Sequence, residues 1–489
     1  MEKNVAMIQR ESSGHGAHRW LTLATVCLAQ FIVVLSFQGA SLIVPEVQQE
    51  FSLPATTTQW LISANALAFG GLLLAAGRAA DHFGHRRLFA TGLALFAMAT
   101  LAAGLAPSAE WLIVARAIQG AGTALFAPAS IALLAGAFPE GSTRHRALAA
   151  WGAAGPLGGV AAVLLGGVLA GWLGWRAVLI VAAPVALFCL GLTVFGIRDD
   201  SARSTGRLDP WSTLAGTAGA ALLIYGFSDL AQVGLTSATP ATTIFFGVVL
   251  LAGFVMAERR SSAPLIPGAL IGQGRLIASV AVAFLLGGAT NTSLVFFALY
   301  MQEARGASLL ATGAGFVPCN LAIMVGSMLA GRFINRRGFG PVTAMGMAAI
   351  TLGLLTLTTM TVDSEYARTL LPGLALVGLG LGLAQVGVVG AAAATAAHHD
   401  QGVAAGLISM AGQIGTAVGL ALLVALAGRV EGMADPEHIV ASVRTAHLGA
   451  AALALLGLGV ALYGMWRRRT PLPQPAPVMP QRDCPEAAQ

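Results

Sequence analysis

Apolar residues in this chain neither alternate with polar ones nor keep to one stripe of a helix; they come in long blocks. A bilayer-crossing helix needs about 20 mostly apolar residues. Such runs fall at 20–44, 57–77, 88–106, 111–137, 147–171, 175–196, 211–229, 241–257, 276–300, 309–330, 341–361, 367–396, 402–427 and 445–466, which predicts fourteen spans. The run at 241–257 is short, and the one at 367–396 is long and rich in glycine. The first run follows Lys3, Arg10 and Arg19 as a signal peptide would. It exceeds the ~7–15 apolar residues of such a segment and more runs follow, so it reads as a retained first span.

The polar remainder sets the orientation. Of 27 Lys and Arg, only Arg305, Arg368, Arg429 and Arg444 fall in loops on the side away from the termini, and Arg116 and Arg176 lie within runs. All others gather on the side of the termini. Basic residues mark cytoplasmic loops, so both ends are expected in the cytoplasm, with the protein multi-pass in the cytoplasmic (inner) membrane. The charged fraction is 10% against 56% hydrophobic, where a soluble domain carries about a quarter charged residues. The basic excess therefore reflects topology and not nucleic-acid binding. The cysteines, Cys27, Cys189, Cys319 and Cys484, have no paired spacing, so neither a disulfide framework nor a metal site is expected.

One polar stretch occurs twice. Gly77-Arg78-Ala79-Ala80-Asp81-His82-Phe83-Gly84-His85-Arg86-Arg87 follows span two, and Gly331-Arg332-Phe333-Ile334-Asn335-Arg336-Arg337-Gly338 follows span ten. Gly77, Arg78 and Gly84 map onto Gly331, Arg332 and Gly338 without a gap, and Asp81 falls on Asn335. The 254-residue offset equals eight spans. The expected fold is an all-α polytopic membrane protein of two pseudo-symmetric six-helix bundles with an inserted two-helix hairpin. The bounds read 1–19 for an N-terminal segment, 20–197 for the first bundle, 198–274 for linker and hairpin, 275–466 for the second bundle, and 467–489 for a Pro-rich disordered tail.

These residues resemble the major facilitator superfamily, specifically its fourteen-span drug:proton antiporters of bacteria, over about 20–466. The Gly77–Arg87 loop matches the family's loop signature, and Leu112–Gly122 around Arg116 its span-four signature. Trp151–Gly167 is similar to the antiporter motif of span five, Trp175–Pro184 to the start of span six, and Tyr300–Pro318 to the turn from span nine to ten. Three positions depart: Ser36 where an Asp is usual, Ala182 where an Asn is usual, and Ala162-Val163 where Gly-Pro is usual. The first leaves span one without its carboxylate. The resemblance implies a secondary exporter of hydrophobic drugs, antibiotics or secondary metabolites, working by alternating access and proton antiport. It implies no cofactor, and as partners a small molecule, protons and the bilayer, with the protein a monomer.

Candidate residues follow. Asp81 among Arg78, Arg86 and Arg87 can anchor topology, or can latch onto the positive N-terminus of a helix from the other half; the resemblance points to the start of span 13 near Asp400-Gln401-Gly402. Gly77, Gly84, Gly331, Arg332 and Asn335 complete the gating set, with Asn335 the weaker latch for want of charge. Arg116 lies deep in its run, where a cation costs about 2.5–3.5 kcal/mol, so it needs partners; the resemblance ties it to proton transfer. Glu46 and Asp229 are the other proton-coupling candidates, although an outer-rim carboxylate is often simply solvated. Gln30, Phe31, Gln38, Asn65, Gln119, Phe126, Asn291, Phe296, Gln385 and Gln413 are candidates for a substrate cavity, and Phe37, Phe284 and Phe297 extend its apolar part. A phenylalanine stripe arises equally from packing. Gly155, Pro156, Gly159, Gly166 and Gly167 mark close helix approach in span five.

Enzyme classes are disfavoured. Adjacent His398 and His399 cannot both face one ion, the Gly-rich segments lack a preceding strand, and no phosphate-loop Gly-Lys-Ser/Thr element is present. The scarcity of acids within the runs favours neutral or anionic cargo. A facilitator or uptake carrier of the same fold, without proton antiport, is the alternative.

Overall fold

The computed structural model describes residues 2–54, 57, 60–197, 210–234, 237–260, 274–396, 400–428 and 435–466. The linker at 198–207, most of 258–274, His398, His399 and the tail from Thr470 lie outside them. The described residues hold fourteen helices long and apolar enough to cross a membrane. In the first half these are α1 (His18–Leu42), α2 (Trp60–Phe83), α3 (His85–Gly104), α4 (Ala109–Ala137), α5 (Ser142–Leu173) and α6 (Trp175–Gly196). The hairpin is α7 (Trp211–Gln232) and α8 (Ala238–Arg260). The second half holds α9 (Gly274–Ala304), α10 (Leu310–Arg337), α11 (Phe339–Leu357), α12 (Tyr366–Thr395), α13 (Gln401–Ala427) and α14 (Pro436–Met465).

Helix ends differ from the apolar runs because a helix carries polar turns beyond the bilayer-length core. α14 begins at Pro436, well before the run at 445, and α8 extends three residues past the short run at each end. α1 breaks after Leu42, and a separate short helix, Val44–Glu50, carries Glu46. α6 is broken at Val181, where Pro184 cannot donate the hydrogen bond that would continue the helix from Ile180. Gly84 and Gly338, at φ +98° and +79°, make the tight joints α2–α3 and α10–α11. Those left-handed angles cost a side-chain-bearing residue about 1 kcal/mol or more.

Within the first half α1 packs on α5, α2 on α4, and α3 on α4 and α6; in the second, α9 packs on α13, α10 on α12, and α11 on α12 and α14. Each contact has its counterpart eight helices on. The halves meet along two seams, α2 against α13 and α5 against α10. Glycine sets how closely they approach, because hydrocarbon offers no hydrophobic drive and close backbone contact supplies the attraction instead.

The hairpin is not a free appendage. α7 packs against both α2 and α13, so it lies over the first seam, while α8 packs behind it. The Trp60 and Tyr225 rings stack at 5.6 Å. A side-chain carbon at Gly71 would stand 3.0 Å from Ala221 Cβ, which shows how closely α2 and α7 approach.

Candidate functional site

Asp81 ends α2 buried at 1% exposure. Its Oδ1 accepts from the Gly402 N–H and its Oδ2 from the Val403 N–H, each at 2.9 Å. These are two of the unpaired donors that open α13, so the carboxylate meets both the amides and the positive end of the helix dipole. His85 Nε2 lies 2.9 Å from the same Oδ1. Arg78 stands 3.8 Å from Asp400 across the seam. The glycines make room: a side chain at Gly77 would strike the Gly402 carbonyl, and one at Gly402 would stand 2.7 Å from Asp81 Oδ1. Arg86 donates to the Thr193 and Val194 carbonyls at 3.1 and 2.5 Å, tying the loop to the end of α6. Arg87 is exposed.

The second copy of the loop is built differently. Asn335 and Arg332 are exposed, and Asn335 Oδ1 bonds the His145 ring of α5 rather than helix-terminal amides. Gly331 still serves close approach, since a side-chain carbon there would lie 2.8 Å from Ala149 Cβ.

Two chambers lie between the halves. The central one, about 270 Å³, is lined by Gln30 and Trp151 from the first half and by Gln385, Ser409 and Gln413 from the second. A second, about 300 Å³, lies toward the Leu42 end and is lined by Phe37, Gln38, Gln302, Phe316 and Asn320. Asn291 borders both, and its Nδ2 donates to Thr416 at 3.0 Å. Toward Asp81 the space narrows to a cleft of about 10 Å³ between Ile131, Val389, Gln401 and Ile408.

Of the expected cavity residues, Gln30, Gln38, Asn291, Gln385 and Gln413 border these chambers. Phe126 does not: it is buried edge-on between Phe89 and Phe96 within the first half. Phe296 is core at 1% exposure, Phe297 is core beside Phe316, and Phe31 and Phe284 pack against the core. Aromatic area in these helices is used to hold each bundle together.

Asn65 and Gln119 are also away from the chambers, because Arg116 requires them. Arg116 is 2% exposed. Its Nε donates to the Leu61 carbonyl at 3.0 Å and its Nη1 to Gln119 Oε1. Gln119 Nε2 donates in turn to Thr100 at 2.7 Å and Ser36 at 2.9 Å, and Asn65 donates to the Arg116 carbonyl at 3.2 Å. Among the described residues no carboxylate pairs with this cation, and its Nη2 has no partner. Ser36 closes the network with a hydroxyl where the resemblance would put an acid. Glu46 stands exposed on the short helix after α1, and Asp229 is half-buried on α7.

In α5, Gly155 faces Gln30 of α1, while Gly159 lets Gln38 and Asn320 approach from opposite halves; a side-chain carbon there would stand 2.8 and 3.0 Å from their oxygens. Gly166 gives the same room to Leu42. Pro156 and Gly167 lie in the same unbroken helix.

Sequence reasoning passes over three groups. His85 on Asp81 is signalled only by being a histidine within the charged loop. His447, fully buried in α14 and bonded to the Val443 carbonyl at 2.7 Å, sits inside an apolar run. The clamp of Glu50 by Arg176, at 2.8 Å, and by Trp175 Nε1, at 2.6 Å, joins residues remote in the chain. Those two donors, the Arg176 bond foremost, hold the Glu50 carboxyl below its ordinary value.

Two chambers between two bundles, narrowing to a cleft at the Asp81 end, suit the passage of a molecule. The comparisons agree. The sequence model described as Major Facilitator Superfamily matches residues 26–420 and again 280–482. The chain is 36% identical to the puromycin resistance protein of Streptomyces alboniger, over 84% of this chain and 82% of that one. It is also 36% identical to the cephamycin export protein of Amycolatopsis lactamdurans, over 83% and 84%. Among solved structures it is similar in fold to the human organic anion transporter MFSD10, with a TM-score of 0.64 at 16% identity, covering 91% of this chain and 99% of that one. The chain belongs to the Major Facilitator Superfamily.

Proposed function

We propose that this chain is a secondary exporter that carries amphipathic drugs, antibiotics or secondary metabolites outward across the cytoplasmic membrane, driven by protons entering in exchange. The Asp81 end faces the cytoplasm, in keeping with the basic residues gathered there. The carrying observation is the bidentate contact of Asp81 with Gly402 and Val403 at 2.9 Å. It supports a latch that holds the cytoplasmic side shut while the larger chambers lie toward the far side. Opening that side parts α2 from α13, and the latch re-forms once cargo has moved outward. The relatives named for puromycin resistance and cephamycin export support the outward direction and the class of cargo.

For the proton, Arg116 and the Asp81–His85 pair are the groups with the necessary surroundings. Arg116 holds a buried positive charge without a carboxylate, so its network shifts if a proton or an anion arrives. Asp81 needs its negative charge to close the latch, so protonating it loosens the α2–α13 seam. Glu46, exposed beyond the end of α1, and Asp229 lack such a setting.

The test is accumulation of a fluorescent drug in cells with and without the protein, repeated after collapsing the proton gradient. Lower accumulation that vanishes on collapse is expected. Export unchanged by collapse rejects proton drive, and raised accumulation makes the chain an uptake carrier.

A further inference from the structure

The central chamber has a wall of distinct chemistry. Gln30, Asn291, Gln385 and Gln413 put carboxamides around it from both halves, with Thr290 and Ser409 adding hydroxyls. Among the described residues that line either chamber there is no Asp, Glu, Lys, Arg or His. Arg116 and Asp81, both buried, are each committed to contacts outside the chambers. A charged cargo would thus leave water for a partly apolar space holding no opposite charge, which is unfavourable unless the ion is paired. Neutral amides, by contrast, offer donors and acceptors at once.

Trp151 adds a direction to this. It lines the chamber from α5 and is 5% exposed. Its Nε1–H is sealed from solvent and has no acceptor among the described residues. Indole N–H is donor-only, and a buried donor without an acceptor is a standing penalty. An oxygen on the cargo removes it once the indole turns its N–H into the chamber.

We infer that the central chamber takes its cargo in an uncharged form and holds it through an acceptor oxygen, a carbonyl or sulfonyl, that receives the Trp151 N–H once the indole turns to present it, while the carboxamides of both halves bond the rest. This rests on the export reading and names its cargo class. An amine or acid is carried only after it has shed its charge or had it masked.

The experiment uses one fluorophore in three charge states: dansylamide, uncharged with sulfonyl oxygens; its trimethylammonium derivative; and its glycine conjugate, a carboxylate. Binding to the purified full-length protein in lipid nanodiscs is followed by dansyl fluorescence, and export by uptake into inside-out vesicles. The wild-type protein is expected to bind dansylamide at least tenfold more tightly than either charged form. Trp151→Phe weakens dansylamide about fivefold, the loss of one hydrogen bond. Gln413→Glu, which puts a carboxylate into the wall, raises affinity for the trimethylammonium form. A charged form bound as tightly as dansylamide by the wild type, no dansylamide binding, or unchanged affinity in Trp151→Phe each overturns the inference. The wild-type comparison needs no variant to fold. Dansylamide bound but never moved into the vesicles would remove the export reading and leave the inference standing. Vesicles that take up the charged forms equally well would do the reverse.

Discussion

Asp81 accepts the Gly402 N–H at 2.9 Å, across a seam where neither Gly77 nor Gly402 leaves space for a side chain. Its counterpart Asn335 is exposed and bonds the His145 ring. One pseudo-symmetric loop thus carries a buried charge onto a helix terminus, and the other a surface bond between an amide and an imidazole. The two seams therefore differ in chemistry, and the α2–α13 seam is the one that carries buried charge.

Asp81→Asn tests that difference by making the loops alike. A hydrogen bond to a charged group contributes about 1.5–3 kcal/mol, so losing the charge shifts the closed-to-open balance roughly tenfold or more. Membrane insertion should stay normal, because Arg78, Arg86 and Arg87 remain. Transport in vesicles should fall severalfold at equal protein level. Asn335→Ala should be near neutral. Wild-type transport by Asp81→Asn would reduce the loop to a topology anchor.

A steric version of the same experiment leaves the charge in place. In Gly77→Val the side chain meets the Gly402 carbonyl, and backbone at that point cannot yield as a side-chain tip would. The expected outcome is a seam propped open at the Asp81 end. A cysteine placed at Ala405, beside the narrow cleft, should then react faster with a water-soluble maleimide than in the parent. Equal labelling rates would mean that α2 and α13 do not need this closeness to shut.

How much of this is legible in the chain differs by layer. The spans read directly, because the bilayer imposes a length of apolar residues that needs no knowledge of neighbours. The Asp81 contact is nearly legible: a carboxylate at a helix end suits the positive N-terminus of another helix, and the family resemblance, not the repeat, points to the start of span 13. The phenylalanines are not legible. Phe126 and Phe296 pack inside their bundles while Phe37 borders a chamber, and all three sit in runs where lipid, core and cavity sides are equally apolar. Gln119 and Asn65 read as cavity residues from polarity alone, yet Gln119 is drawn in as the acceptor of a buried guanidinium and Asn65 donates to Gln119 and the Arg116 carbonyl. The seat of α7 over the α2–α13 seam has no local signal, since the docking surface is apolar on both sides.

Gln119 is the hub of the Arg116 network and should reveal itself in stability. Gln119→Leu keeps the volume but removes the acceptor for Arg116 Nη1 and the donors to Ser36 and Thr100. A buried charge stripped of a partner costs about 2–3 kcal/mol. The variant should melt several degrees below the parent in a thermal-shift assay in detergent. Restoring an acceptor with Gln119→Glu should recover stability and pair the cation outright. An unchanged melting point for Gln119→Leu would mean that water replaces the lost side chain.

The Glu50 clamp predicts a pH dependence with a definite sign. The Arg176 and Trp175 bonds lower the Glu50 pKa in the folded state, so the folded protein favours the ionised form. The stabilisation is present above the unfolded-state value near 4.5 and is lost as pH falls through the lower folded value. Both side chains are 40% exposed, which limits the effect to at most ~1 kcal/mol. Glu50→Gln should therefore melt slightly below the parent at pH 7, with the gap closing toward pH 3. A gap that widens on acidification would contradict the clamp.

The two proposals together fix the electrical character of transport. If an uncharged molecule leaves while a proton enters, each cycle moves one positive charge inward, so an inside-negative potential drives export. A potential of 100 mV is worth about 2.3 kcal/mol per charge, which is roughly fiftyfold in steady-state accumulation. Exchange of a monovalent cation for a single proton would move no net charge and ignore the potential. Inside-out vesicles given an interior-positive potential by a potassium gradient and valinomycin, with no pH difference, should accumulate dansylamide. A strong buffer at equal pH on both faces, which prevents a secondary pH gradient, should leave that response in place. Uptake that follows only the pH difference would make the exchange electroneutral and would separate proton drive from an uncharged cargo, one of which would then have to go.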